Sequence, residues 1–414
     1  MALFQVTRYR AVLIVAAFAV INTALFLVVE TRTGRTSQSD GRGSDGVAYV
    51  EMLHDGIYVR ASNERLRPMI VLFDRPLFLL SDRSVAGALD AFAAMNVVYI
   101  AWLTVAAVLL AAAYQASIGA RVFLALNIAL CIATSKYFAY YPALIDLGAY
   151  AVMMTAMLVI VRGHKRAGPV MAVVAALSRE FGVFVALFGI HREYRQHRRA
   201  GRALLMYAPA LIVSIAWRLL VLRLPGDQLL RATDFAHNLA FWTDYNFVAF
   251  FLYYCATVFG GLSLLLVARA GNCVPLFRRE PEWITFGGGI FVLAAAGSAD
   301  IWRYLAYLLP LAVALLGTCD ARWSNARRTW VYSLAALVTL VTQRPFEPMN
   351  AAIYLPRWFP YYVIPSAPPD DLERFWAYWG WMMLATAVVA WIIAAFESTP
   401  FHDAAVASHP VTDS

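Results

Sequence analysis

Residues 168 to 190 form an apolar segment broken at its centre by Ser178, Arg179 and Glu180 and bordered on both sides by basic runs. An Arg near the middle of a bilayer costs about 2.5–3.5 kcal/mol even on the lenient insertion scale, so Arg179 is kept there only by pairing, water access or function. Two foldings are open to this segment. As a single span it carries an Arg179/Glu180 pair packed against neighbours, although adjacent residues do not share a helix face. As two half-helices it enters the membrane and returns. Its tip, Ser178-Arg179-Glu180-Phe181-Gly182, then faces a protein-lined or wet cavity, the only place where non-helical backbone is tolerated at membrane depth.

The rest of the chain fixes the solvent. Hydrophobic residues fill 61% and charged residues 14% of 414 positions, and apolar stretches of spanning length recur from end to end. That pattern predicts an all-α polytopic membrane protein of about ten transmembrane helices rather than a soluble enzyme. The expected spans are 11–29, 90–113, 119–134, 142–161, 203–223, 246–268, 284–297, 304–318, 329–344 and 374–396. The first, behind Arg8 and Arg10, is longer than a signal h-region and lacks a small-residue cleavage site, which reads as a retained signal anchor.

Net charge is +8 and almost all of the positive residues are Arg, the lysines being Lys136 and Lys165. The loops carry this surplus, which points to membrane orientation and not to nucleic acid. Basic loops at Arg162–Arg166, His191–Arg202, Arg269–Arg279 and Arg322–Arg328 are all cytoplasmic if Lys and Arg set the topology. Only the re-entrant folding of 168–190 puts every one of them on that side, and it is the preferred reading. Both termini are then cytoplasmic. Residues 1–396 form one transmembrane domain, 30–89 its first outer loop, and 397–414 a disordered tail. Four cysteines give neither a disulfide framework nor a CxxC pattern, and the histidines lack ligand spacing.

Polar chemistry collects in the outer loops. Ser44 and Asp45 precede Gly46 to Gly56, where Val47, Tyr49, Val50 and Leu53 alternate at helical spacing with Glu51, His54 and Asp55, as in a helix lying on a membrane surface. Asp45 stands where an N-cap is expected, and capping is its plain structural role. Pro68 to Leu80 is apolar but too short to span, so it too is interfacial and carries Arg75 there. Lys136 and Asp146 flank a short outer loop, and Asp146 could pair with Lys136 or with another outer-surface cation. Asp300 and Arg303 start a later span and could form an i,i+3 pair. The last outer loop, 345–375, is aromatic-rich: an interfacial belt in the plain reading, a lipid-groove wall or carbohydrate platform in the sharper one.

The order of these residues resembles the GT-C class of integral membrane glycosyltransferases, which use polyprenyl-phosphate-linked sugars as donors. The likeness rests on a first span, then Ser44-Asp45-Gly46 with Tyr49, Arg75-Pro76-Leu77, Tyr141-Pro142 with Asp146, Arg179-Glu180, and Asp300 with Arg303 and Pro310. It implies that an acid in the first outer loop is the catalytic base, and Asp45 is the matching position. Many members carry two adjacent or near-adjacent acids. Here Asp40 and Asp45 are five apart, with Glu51 and Asp55 beyond, which leaves both the base and the use of a divalent metal (Mg or Mn) open.

The chemistry follows from general rules as well. Moving a sugar from a lipid phosphate to a hydroxyl needs a carboxylate to take the proton and cations to stabilise the departing phosphate. Asp45 supplies the first. Arg179 and Arg303, with Arg75 and Lys136 as weaker candidates, supply the second, and Glu180, Asp146 and Asp300 orient them. Single displacement inverts the anomeric centre. The resemblance, with this chemistry, implies an inner-membrane hexosyl- or pentosyltransferase of the cell envelope. It works on the outer face with a glycan, lipid or protein acceptor, and it uses neither a nucleotide cradle nor nucleic acid. A lipid-linked glycan polymerase or ligase is the nearest rival, and a transporter or flippase for a charged lipid or solute the rival from another class.

Overall fold

The computed structural model describes residues 2–43, 45–57, 64–224, 251–252, 254–255, 258–297, 301–320 and 325–349, with isolated positions between 380 and 392. Among them there is no strand. In chain order the helices are α1 (Ala2–Thr33), α2 (Gly46–Asp55), α3 (Pro68–Leu80), α4 (Val85–Ala113), α5 (Ile118–Leu130), α6 (Tyr137–Tyr140), α7 (Asp146–Val161), α8 (Ala167–Ser178), α9 (Val183–His197) and α10 (Ala200–Val221). They continue as α11 (Gly261–Ala268), α12 (Ala270–Arg279), α13 (Glu282–Gly297), α14 (Ile301–Leu305), α15 (Leu309–Asp320) and α16 (Asn325–Gln343).

Four helical stretches are long and apolar enough to cross a membrane: Val12–Thr33, Val85–Ala113, Ala200–Val221 and Arg303–Asp320. A fifth is added if α5 and the stretch Ile132–Tyr140, bent from it by 57°, count as one. The chain is thus a helical protein with several candidate spans, and the tenfold crossing expected from hydropathy is not recovered by length. The reason is local. Helices α7 and α13 run 16 residues each, short of the roughly 20 needed to span. Cys131 breaks the third stretch with extended backbone before a single π turn. Gly260, at φ +52°, interrupts the sixth, and most of 374–396 lies outside the described residues.

Helix α7 is the centre of the packing. Nearly every side chain along it is buried, between α4 on one side and α8 on the other. Helix α2 turns Tyr49, Val50, Met52 and Leu53 inward, against α3 and α4. Its apolar stripe is therefore spent inside the protein, not on a membrane surface. Helix α3 keeps Leu72, Leu79 and Leu80 exposed and is the better match to an interfacial helix.

The break at Arg179 is a reversal. Arg179 is extended (φ −161°, ψ 152°), its N–H donates to the Ala175 carbonyl at 3.1 Å, and the Gly182 N–H donates back to the Arg179 carbonyl at 2.9 Å. A Cβ at Gly182 would lie 2.0 Å from the Ala175 oxygen, so only glycine closes this corner. At the other end the two helices meet again. A Cβ at Gly168 would be 3.1 Å from the Tyr207 hydroxyl and one at Gly189 2.4 Å from the Tyr207 ring. Arg192 Nη2 donates to the Val161 carbonyl at 3.3 Å. A straight helix from 161 to 192 would hold those groups about 45 Å apart. The hairpin foot is tied to the start of α13, where Arg192 bridges Glu280 and Glu282, each at 2.9 Å, and Arg195 reaches Glu282 at 2.6 Å.

Because the Gly182 corner closes against backbone, Gly182→Ala is expected to destabilise the protein by about 1–3 kcal/mol through overpacking. Gly201→Ala, in a helix with open space around it, should be neutral or stabilising. Thermal unfolding of the two variants in detergent checks the contrast. Equal melting temperatures would contradict this corner.

Candidate functional site

Six charges from five distant parts of the chain form one alternating series. Asp45 Oδ2 meets Arg303 Nη2 at 2.9 Å, and Arg303 Nε lies 3.6 Å from Asp146 Oδ2. Asp146 Oδ1 is 3.1 Å from Arg179 Nη2, and Arg179 Nε is 3.8 Å from Glu180 Oε1. Glu180 is held in turn by a two-pronged contact from Arg67, Nη2 to Oε1 at 2.8 Å and Nε to Oε2 at 2.9 Å. Three guanidinium groups and three carboxylates leave the series neutral. That balance is what allows it to be buried, since an isolated charge would be far more costly.

Each element supplies its charge for a local reason. Asp146 opens α7, where a carboxylate is favoured by the partial positive charge of the helix start. Arg179 and Glu180 sit on the hairpin corner, free of helix periodicity. Arg303 is on α14, just before a 3-10 turn at Ala306–Leu308. Tyr304, on α14, and Tyr307, in that turn, lie over Arg179, the guanidinium carbon being 5.5 and 6.0 Å from their ring centres, within the range of cation–π attraction. Tyr307 also donates to Asp146 Oδ1 at 2.6 Å, Tyr150 donates to the Arg303 carbonyl at 2.9 Å, and Arg67 Nη1 donates to the Tyr49 hydroxyl at 3.1 Å.

Burial is uneven along the series, and the unevenness has chemical meaning. Arg179 is 0% exposed, and its Nη1 makes no hydrogen bond among the described residues. The Asp45 side chain is 28% exposed, the most open of the six, and Glu180 follows at 19%. Asp45 does not cap α2: its backbone is helical and its carboxylate makes no cap hydrogen bond. Burial pushes its carboxyl up, but Arg303, Arg67 and Arg179 together overcome that and hold it below its ordinary value. Burial pushes the Tyr49 phenol up to about 12, against the pull of Arg67, so Tyr49 stays neutral at physiological pH.

The arrangement gathers Asp45, Asp146, Arg179, Glu180 and Arg303, and it corrects two other expectations. Arg75 is exposed on α3. Its neighbour Asp74 is the residue that turns inward, to the Tyr99 hydroxyl, and consecutive residues cannot both face the core. Lys136 is buried and donates to the Arg344 carbonyl at 2.7 Å, drawn away from Asp146. Asp300 and most of the aromatic 345–375 loop lie outside the described residues. Arg67 was not anticipated, although its position just before the Pro68–Leu80 run in the first loop was a signal. The three carboxylates each face a guanidinium, and among the described residues no group of three His, Cys, Asp or Glu side chains could hold a metal ion. The cluster therefore does not fit a divalent cation. No family model, curated protein or solved structure matches the chain.

Asp146 anchors two arginines in a buried setting, so Asp146→Asn is expected to cost about 3–5 kcal/mol by leaving them under-compensated. Arg75→Gln should stay within about 0.5 kcal/mol. Unfolding temperature and yield of the two variants separate them. A mild Asp146 variant would show that the series is not coupled.

Proposed function

We propose that this protein is an integral membrane glycosyltransferase that moves a sugar from a polyprenyl-phosphate carrier to an acceptor hydroxyl on the membrane face bearing the Asp45 cluster. The observation that carries the reading is Asp45 itself: a partly exposed carboxylate that caps no helix, 2.9 Å from one arginine and in the field of two more. Such a group is ionised at neutral pH and oriented by its partner, as a general base must be.

In the proposed reaction the acceptor hydroxyl approaches the open side of Asp45. Its oxygen forms a bond to the anomeric carbon as its proton passes to an Asp45 carboxylate oxygen. The bond between the anomeric carbon and the phosphate oxygen breaks, and the electron pair stays on the phosphate. Arg303 and Arg179 stabilise that developing charge, the unmatched Nη1 of Arg179 being a donor in reserve. Glu180 and Asp146 keep both guanidinium groups aimed. One displacement inverts the sugar.

The finer topology belongs to the same proposal. Helices α7, α13 and α16 complete about ten crossings together with the apolar stretches outside the described residues, and the α8–α9 hairpin is re-entrant. The basic loops and both termini are cytoplasmic, and the membrane is the plasma membrane. The acceptor is a glycan, a lipid or a protein.

Asp45→Asn is expected to abolish transfer while leaving insertion and donor-lipid binding near wild type, read by radiolabelled sugar transfer and by lipid co-purification. Full activity would remove Asp45 as the base. A pH profile gives a second check. Because the Asp45 carboxyl is lowered, the acid limb of wild-type activity should lie below the ordinary carboxylate value of about 3.9. Arg303→Gln should move that limb upward, since burial would then be opposed only by Arg67 and Arg179. An unmoved limb would show that another group titrates.

A further inference from the structure

The hairpin also creates a charged surface at its foot, away from the acid–arginine series. Loop 162–166 and the end of α9 are separated by the whole hairpin in sequence, yet they share one cleft, lined by Gly163, His164, Lys165, Arg192, Glu193 and Gln196. The acids there are already matched. Glu193 takes Arg202 at 3.0 Å and His197 at 3.4 Å, while Glu280 and Glu282 take Arg192 and Arg195. Arg162, Lys165, Arg166, Arg198 and Arg199 are exposed and pair with no carboxylate among the described residues.

Five like charges on two neighbouring segments repel one another, and an outside anion between them would relieve that repulsion. The surface beside them turns apolar at once. Val170, in the first turn of α8, is 61% exposed, and Leu204 and Leu205, in the first turns of α10, are 50% and 79% exposed. Cations one turn away from bare aliphatic side chains match the depth of lipid headgroups, with the aliphatics among acyl chains and the cations at the phosphates. A soluble polyanion would match the charge but leave the aliphatic side chains in water.

We propose that the foot of the α8–α9 hairpin binds the headgroups of anionic phospholipids, whose phosphates seat on Lys165, Arg166, Arg198 and Arg199 and hold the two helix ends together. The surface does not depend on the enzymatic reading of the Asp45 cluster, and its test uses no activity.

The full chain, purified in detergent, is titrated with phosphatidylglycerol or phosphatidylcholine of matched acyl chains, and bound lipid is counted by native mass spectrometry. Inorganic phosphate forms a third arm. Phosphatidylglycerol should bind at least about tenfold more tightly, which corresponds to about 1.4 kcal/mol. The preference should fall below about threefold in the variant Lys165→Gln/Arg166→Gln/Arg198→Gln/Arg199→Gln, and also in the wild type at high ionic strength, where exposed charges are screened. It should persist in Arg75→Gln/Arg83→Gln, which removes exposed cations elsewhere. If the fourfold variant does not insert, Lys165→Gln/Arg166→Gln and Arg198→Gln/Arg199→Gln are each expected to lose part of the preference. Equal binding of the two lipids, an undiminished preference in the variants, or displacement of lipid by millimolar phosphate would overturn the proposal.

Discussion

Neutrality by alternation governs this molecule. Arg179 is wholly buried, and a guanidinium so placed persists only if carboxylates meet it. Asp146 from the start of α7 and Glu180 from the next position do so. Each of these acids needs a second cation, which Arg303 and Arg67 provide. Asp45 then terminates the series at its most exposed end. Five segments far apart in sequence are thereby held in one register. Buried ion pairs of this kind add little net stability compared with well-packed apolar residues.

The hairpin is what delivers Arg179 to that place. A continuous helix would put Arg179 and Glu180 on different faces and carry the basic runs to opposite ends. By reversing at a corner only glycine can close, the chain frees both residues from helical spacing, so that one faces Asp146 and the other Arg67. The same reversal brings the two basic runs together at the foot. Site and foot are therefore two consequences of one backbone event, and the Gly168 and Gly189 contacts with Tyr207 lock it from α10.

Much of this was legible in the sequence. Charged residues interrupting apolar stretches, or standing at their ends, marked Asp146, Arg179, Glu180 and Arg303, because hydropathy makes such residues conspicuous. Asp45 was marked by its place after the first span, with capping as the competing role, and the structure resolves that competition: the carboxylate turns to Arg303. The failures share a cause. Hydropathy sees which stretch a residue occupies, not which way its side chain points. It favoured Arg75, inside an apolar run, over Arg67 just before it, although helical geometry makes Arg75 and the inward-facing Asp74 mutually exclusive. Proximity in sequence leaves Asp146 open to Lys136 or to another outer-surface cation; the structure supplies the latter in Arg303 and Arg179, while Lys136 donates to the Arg344 carbonyl. Helix length recovers only four or five of the spans for a related reason, since breaks at Cys131 and Gly260 carry little hydropathic signal.

In the proposed reaction Asp45, Arg303 and Arg179 bound a single site for a lipid-linked phosphate. An experimental structure of the protein with a polyprenyl phosphate bound tests this most directly. The phosphate oxygens are expected about 2.7–2.9 Å from nitrogens of Arg303 and Arg179, with the Asp45 carboxylate facing the side from which an acceptor would arrive. A phosphate seated elsewhere, with all six charges still paired only to one another, would contradict it.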